Sequence, residues 1–190
     1  MSANQADVWI VAGPPGAGKT TVAGILLKHL KPIPALLDKD TMYGSFVDSI
    51  LAAENRPTGE REGDWYDKRI KIHEYAGMTK TAREIRSKGC PVLLSAPFTK
   101  QIHSKEIWNE WVERLGGGTV HLVWIKVDAE TLHKHLIDRN DKRDTQKLAK
   151  FDDFITYMQP GTPPPFPHIM IDNRLNTQQS LDSQIVDAIR

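Results

Sequence analysis

Short, continuous apolar runs alternate along this chain with longer segments whose apolar positions recur every three or four residues. Residues 7–12, DVWIVA, form a run rich in β-branched residues that ends at Gly13 and predicts a buried strand. Residues 19–30 follow with Val22, Ala23, Leu26, Leu27 and Leu30 at helical spacing. Pro32 and Pro34 block a helix before a second strand at 35–37, and helix is expected again from Thr41 to Glu54. The polar stretch 55–64, NRPTGEREGD, reads as a loop. A long helix is expected over Trp65–Ser87, stopping at Gly89. Further strands are expected at 91–95, 120–127 and 168–171, and further helices at 102–115, 129–137, 145–158 and 178–190. The run 160–167, PGTPPPFP, must be extended. Strands alternating with helices imply an α/β fold with a parallel sheet covered on both faces, in one domain spanning 1–190.

Composition narrows the function classes. The chain has 190 residues and a formal charge of +1, so no global field draws it to nucleic acid or membrane. Cys90 is the only cysteine, which fits a reducing compartment. The N-terminus lacks a basic n-region, and its apolar run is shorter than a signal peptide or membrane span requires. A cytoplasmic protein without a membrane role is expected.

The most specific signal is GPPGAGKT. Gly13, Gly16, Gly18, Lys19 and Thr20 match G-x-x-x-x-G-K-[ST], placed as the motif requires between an expected strand and an expected helix. Glycines let the loop curl so that backbone N–H groups face phosphate oxygens, and the following helix aims its dipole at the same anion. Lys19 adds charge at the β- and γ-phosphates, and the Thr20 hydroxyl is a Mg²⁺ ligand. The expected nucleotide-binding segment comprises Gly13, Pro14, Pro15, Gly16, Ala17, Gly18, Lys19, Thr20 and Thr21. The spacing excludes the Rossmann fingerprint. No N-K-x-D or D-x-x-G string marks a GTPase, and no transporter signature occurs. A small kinase remains.

Two further constellations support phosphoryl transfer. Asp38 and Asp40 close the second strand, at the end where doubly wound sheets bind ligands. One carboxylate can hold a Mg²⁺-bound water and the other can accept the proton of an attacking hydroxyl, while Asp40 also suits a helix N-cap. Residues 139–147, RNDKRDTQK, place Arg139 and Arg143 four apart, on one face if helical. Such arginines, on a lid over about 138–147, can neutralise a transferring phosphoryl group and exclude water. Asp138, Asp141 and Asp144 equally offer them surface partners.

GPPGAGKT, DKDT, RNDKRDTQK and IDN at 171–173 together resemble the small P-loop kinases grouped as AAA-domain ATP-binding proteins. The group is similar to zeta-type toxins, chloramphenicol phosphotransferase, polynucleotide kinase and, more distantly, shikimate and gluconate kinases. The resemblance implies a P-loop NTPase fold: a three-layer α/β/α arrangement with a five-stranded parallel sheet of order 2-3-1-4-5 and a small arginine-bearing lid. It implies ATP and Mg²⁺ as cofactors, Asp40 as general base, and Asp38 as the carboxylate on the metal side. Arg139 and Arg143 match the lid arginines, and Asn173 falls where the adenine-binding loop lies.

One departure stands out. The strand that commonly ends in a Walker B aspartate reads PVLLSAP here, with Ser95 at that point. The acceptor site is expected among Tyr43, Trp65, Arg69, His73, Phe98 and Lys100, with Tyr43, Arg69 and Phe98 joining Asp40 as substrate residues. A small-molecule alcohol is the expected acceptor. A 5′-hydroxyl polynucleotide kinase is disfavoured by the near-zero charge, and a nucleotide-binding regulator or toxin component with little turnover rests on Ser95. His133 and His135, two apart on a helix, diverge and do not suggest a metal site. Trp108 and Trp111 suit packing.

Overall fold

The computed structural model describes residues 6–190. Five strands, Val8–Ala12 (β1), Ala35–Asp38 (β2), Val92–Ala96 (β3), Val120–Lys126 (β4) and Ile169–Asp172 (β5), form one sheet of order β2-β3-β1-β4-β5. Every pairing is parallel. Both order and direction are those the sequence resemblance implied.

Alternation along the strands explains the two covered faces. Val8, Ile10 and Ala12 of β1 point into one core with Val92, Leu94 and Ala96 of β3. That face is covered by Lys39–Ala53 (α2), Ile72–Ser87 (α4), Thr99–His103 (α5) and Lys105–Arg114 (α6), which bring Met42, Met78, Ala82, Ile102 and Trp111. Val11, Leu93, Val123 and Ile125 point the other way. They meet Lys19–His29 (α1), Ala129–Arg139 (α7), Phe151–Met158 (α9) and Leu181–Ile189 (α10), through Leu26, Leu132, Phe154 and Ile185. Successive side chains of a strand face opposite sides, so a parallel sheet buried on both faces needs near-continuous apolar runs. Trp108 and Trp111 pack edge to face, and Trp111 donates from its indole to Thr79 at 2.8 Å.

Several boundaries depart from the sequence expectations, each for a local reason. α2 begins at Lys39 rather than Thr41, because Asp38 is its N-cap and accepts from the Thr41 N–H at 2.9 Å. The capping role expected of Asp40 therefore belongs to Asp38. The helix expected over 102–115 is two helices broken at Ser104, whose hydroxyl caps α6. The one expected over 145–158 is likewise two, Thr145–Ala149 (α8) and α9, broken at Lys150. The long helix at 65–87 starts as Asp64–Tyr66 (α3), passes through a π-helical turn at Asp67–Lys71, and continues as α4. Such π turns often mark functional sites. α7 reaches Arg139 and stops where Asn140 turns left-handed at φ 47°.

Candidate active site

The site lies at the carboxyl ends of the strands, in a cleft of about 1190 Å³. Its floor is the loop between β1 and α1. Gly16 and Gly18 have φ of 86° and 93°, which side-chain-bearing residues rarely adopt. The carbonyls of this loop are pinned outward one by one. Lys19 Nζ donates to those of Gly13 and Pro14, each at 2.9 Å. His135 Nδ1 donates to Gly16 at 2.8 Å, and Asn173 Nδ2 to Ala17 at 2.9 Å. The Ala17 N–H closes the loop on the Pro14 carbonyl at 3.1 Å, and the other N–H groups of the curl lie beside the amino end of α1, where an anion is favoured.

Lys19 is half-buried, and desolvation lowers its pKa to about 8. Asp40 opposes that change, and Arg139 adds to it. These groups therefore share one electrostatic environment. Asp40 sits in the first turn of α2 with its side chain 48% exposed. Burial pushes its carboxyl up, but Lys39, Arg143, Lys19 and Arg61 together outweigh that and hold it below the ordinary carboxylate value. Arg143 Nη1 donates to Asp40 at 2.6 Å across 103 positions of sequence.

Arg139 and Arg143 do not share a helix face as their spacing suggested. The turn at Asn140 separates them. Arg139 ends α7 and donates to the fully buried Asp144 through Nε and Nη2, at 2.7 and 2.6 Å. Arg143 lies in the 3₁₀ turn Lys142–Asp144 and bridges Asp40 and Asp141. Of the carboxylates weighed from the sequence, Asp141 and the buried Asp144 engage these arginines and Asp138 pairs with Lys134 instead, yet both arginines still line the cleft. The segment is also tied to the 55–64 loop. A Cβ on Gly59, whose φ is 83°, would sit 2.9 Å from the Arg143 Cα. Lys147 of α8 reaches Glu62 at 3.7 Å. Burial raises the Glu62 carboxyl against the pull of Lys147 and Lys71.

The donor set fits a magnesium–nucleotide. Thr20, Asp38 and Ser95 all line the cleft. Ser95 is 1% exposed, and its Oγ has no hydrogen-bond partner among the described residues. No cluster of His, Cys, Asp or Glu that could cage a metal occurs among the described residues. Mg²⁺ does not need one, since it keeps water and phosphate oxygens and takes one or two protein groups. An orphaned hydroxyl beside a strand-end carboxylate suits that sparse arrangement.

Not every expected residue reaches the cleft. Phe98 is 0% exposed and packs on Tyr75 and Trp111, so it belongs to the core. Tyr43 is taken up by the packing of α2 on α4, with its hydroxyl against Gly77. Arg69, within the π turn, and His73 are exposed and lie outside the cleft lining. Trp65 stacks under the Arg56 guanidinium at 4.1 Å. Lys100 does line the cleft, and Asn173 touches the phosphate-binding loop itself.

Three contributors were missed in the sequence. His135 diverges from His133 and offers no metal site, but its four-residue spacing to Arg139 puts those two on one helix face. Lys39 lies buried between Glu74, at 2.9 Å, and the Tyr66 hydroxyl, which itself donates to Glu74 at 2.5 Å. Burial and Glu74 push the Tyr66 phenol up and keep it neutral. Arg61 came from a stretch read only as loop, and no sequence signal separates it from its solvated neighbours.

A family model described as an AAA domain matches residues 8–160. No curated protein matches the sequence. Among solved structures, a sugar kinase from Janibacter sp. HTCC2649 superposes with a TM-score of 0.62 at 13% identity, covering 97% of this chain and 92% of that one. The tunicamycin resistance protein of Deinococcus radiodurans gives 0.58 at 15%, with 97% and 94% covered. The APS kinase CysC of Mycobacterium tuberculosis, solved with AMPPNP and APS, gives 0.56 at 18%, with 98% and 99% covered. At these identities the likeness is one of fold.

Proposed function

The chain belongs to the AAA-domain family and has a kinase-like P-loop fold, and from that premise we propose that it transfers the γ-phosphoryl group of ATP, with Mg²⁺, to a hydroxyl of a small-molecule acceptor. The observation that carries the reading is the place of Asp40: a half-exposed carboxylate that lines the same cleft as Lys19 and Thr20 of the phosphate-binding loop and meets Arg143 at 2.6 Å.

Each role follows from position. The loop from Gly13 to Thr21 holds the phosphates, with Lys19 balancing their charge. Asp40 accepts the hydroxyl proton as the acceptor oxygen bonds to phosphorus and the bond to ADP breaks. Arg143 already touches Asp40, so one short displacement moves its charge toward the equatorial oxygens of the transferring group. Arg139, held by buried Asp144, supplies a second charge from a fixed point. Thr20, Asp38 and Ser95 are the residues for the metal, which when bound offsets phosphate charge. The segment near 138–147 acts as lid, closing against the 55–64 loop. His135 and Asn173 keep the phosphate loop in shape.

A small acceptor suits a cleft whose cations are largely spent on neighbouring carboxylates: Lys71 on Asp67 and Lys39 on Glu74. A nucleic-acid groove needs such charges free for phosphates. No helix among the described residues is long and apolar enough to cross a membrane. We place the chain in the cytoplasm, as a single domain. A coupled ADP-release screen over sugars, nucleosides, amino acids, antibiotics and nucleotide sugars, with and without Mg²⁺, tests the reading. Metal-dependent ADP release stimulated by one small alcohol is expected. Stimulation by 5′-hydroxyl oligonucleotides alone would transfer the reading to a polynucleotide kinase. Tight ATP binding without any stimulated release would point to a nucleotide-binding regulator.

A further inference from the structure

The side chain of Arg61 is 10% exposed and lines the cleft. A guanidinium carries five N–H bonds. Nη2 donates to the Gly44 carbonyl and to Asp48, both at 2.9 Å. Nε and Nη1 are buried and have no acceptor among the described residues. Buried, unused donors on a full positive charge are costly to keep, and native structures rarely keep them without a reason. Of the nearby cations among the described residues, only Arg143 also has a buried nitrogen without a hydrogen bond, and that Nε lies 2.9 Å from Asp141. Lys71 meets Asp67, Lys39 meets Glu74, and Arg56 meets Glu60 in two hydrogen bonds. The one carboxylate on Arg61, Asp48, is 52% exposed and engages a single nitrogen.

Position gives the donors a use. Arg61 is close enough to Asp40 to lower its pKa, so an anion on Arg61 would lie beside the group that takes the acceptor's proton. Arg61 also follows Gly59, the point where its loop touches the lid backbone, and precedes Gly63, whose φ is 90°. The loop carrying it therefore changes its surroundings when the lid opens or closes. Lys19, Arg139 and Arg143 have the transferring phosphate as their natural ligand. Arg61 stands outside that set.

We infer that Arg61 binds an oxyanion of the phosphoryl acceptor, so that the acceptor is an alcohol carrying a carboxylate, sulfate or phosphate close to the hydroxyl that reacts. The inference rests on the kinase reading for the word acceptor, but the anion site can be measured without it. Guanidinium forms charge-assisted hydrogen bonds to such groups and cannot lose its proton, so the site favours anions across the working pH range.

Thermal melts of the full chain, with ADP–Mg²⁺ saturating so that the phosphate loop is filled, read Arg61 through added anions. Sodium sulfate and sodium glycolate are the probes, with sodium chloride at matched ionic strength as control. Expected is a rise in Tm with sulfate, glycolate or both that is lost in Arg61→Gln and partly kept in Arg61→Lys. Which anion acts distinguishes a sulfate- or phosphate-bearing acceptor from a carboxylate-bearing one. Both variants should still be stabilised by ADP–Mg²⁺, which shows that they fold. Equal anion shifts in wild type and Arg61→Gln, or no shift beyond chloride, would overturn the inference. In turnover, an acid that acts as acceptor should lose at least tenfold in kcat/KM as its methyl ester, and Arg61→Gln should raise KM for the acid while leaving KM for ATP alone. A neutral alcohol turned over equally well by wild type and Arg61→Gln would also overturn it. The melts read Arg61 whether or not any acceptor turns over, and ADP–Mg²⁺ stabilisation reads the phosphate loop, so each reading fails separately.

Discussion

Two arginines are buried at opposite ends of the same sheet, and they are used in opposite ways. Arg86, 1% exposed, sits under the amino ends of β1 and β4, where Nε, Nη1 and Nη2 donate to the carbonyls of Ala6, Leu115 and Gly117 at 2.6–2.7 Å. Each of its nitrogens is committed to backbone. At the carboxyl end, among the described residues, Arg61 commits one nitrogen and the Ser95 hydroxyl has no partner. Burial alone therefore does not mark function. A buried polar group with its partners in place closes a structure, while one with donors left over can serve a ligand. The end of the sheet where the loops diverge holds the second kind, as doubly wound sheets require.

The contrast can be broken most severely at the carboxyl end. Arg143→Ala should lower kcat by about 10³-fold, as loss of a phosphoryl-stabilising arginine does. Its effect on stability should stay within about 1 kcal/mol, because its partner Asp40 is half exposed. ADP-release kinetics beside urea melts would show both. At the amino end the pattern inverts. Arg86→Leu strands the buried Leu115 carbonyl and the part-buried carbonyls of Ala6 and Gly117, and should cost about 3 kcal/mol of folding free energy. Nucleotide affinity of the folded protein should not change. A stable Arg86→Leu protein would remove the structural half of the comparison.

Gly59→Ala sharpens the link between lid and loop. Its Cβ would press on the backbone of residues 142 and 143, so the variant should lose about 10²-fold in kcat with nucleotide affinity nearly intact. Loss of affinity with unchanged kcat would assign Gly59 to binding instead. A smaller effect follows from Lys19. Its pKa of about 8 in the ligand-free fold lies below the ordinary lysine value of 10.5. Nucleotide affinity should fall as pH rises above about 8, approaching tenfold per unit, since binding must then restore the proton. The stability contribution of this group runs the other way. Its charged form is penalised in the fold below pH 8, and the penalty is relieved as pH rises from about 8 toward 10.5. Calorimetric titration at several pH values and melts of the free protein would separate the two trends.

Local pattern carried the sheet. Its strands are short apolar runs whose register with helices is set by periodicity, and the order β2-β3-β1-β4-β5 came with the motif string rather than with any one element. GPPGAGKT was legible because its chemistry is contiguous. What the sequence could not display were contacts closed by the fold. The pairing of Asp40 with Arg143 spans 103 positions. Phe98, on the loop after a strand, could have faced either core or cleft, and the left-handed turn at φ 52° sent it to the core. Sequence spacing singles out Arg69 and leaves Arg61 in an undistinguished loop, whereas the structure has Arg69 exposed within a π turn and Arg61 in the cleft lining. Ser95 is the reverse case. A missing carboxylate is visible in PVLLSAP, but only the structure shows that the Ser95 hydroxyl is buried and has no partner among the described residues.

The most direct measurement compares wild type with Asp40→Asn in acceptor-dependent ADP release, with nucleotide affinity determined by calorimetry on the same samples. Removing the proton acceptor while keeping its shape should cost about 10²–10⁴-fold in kcat and leave ATP affinity within about threefold, a difference of under 1 kcal/mol. Acceptor-dependent turnover by Asp40→Asn at the wild-type rate would contradict the account.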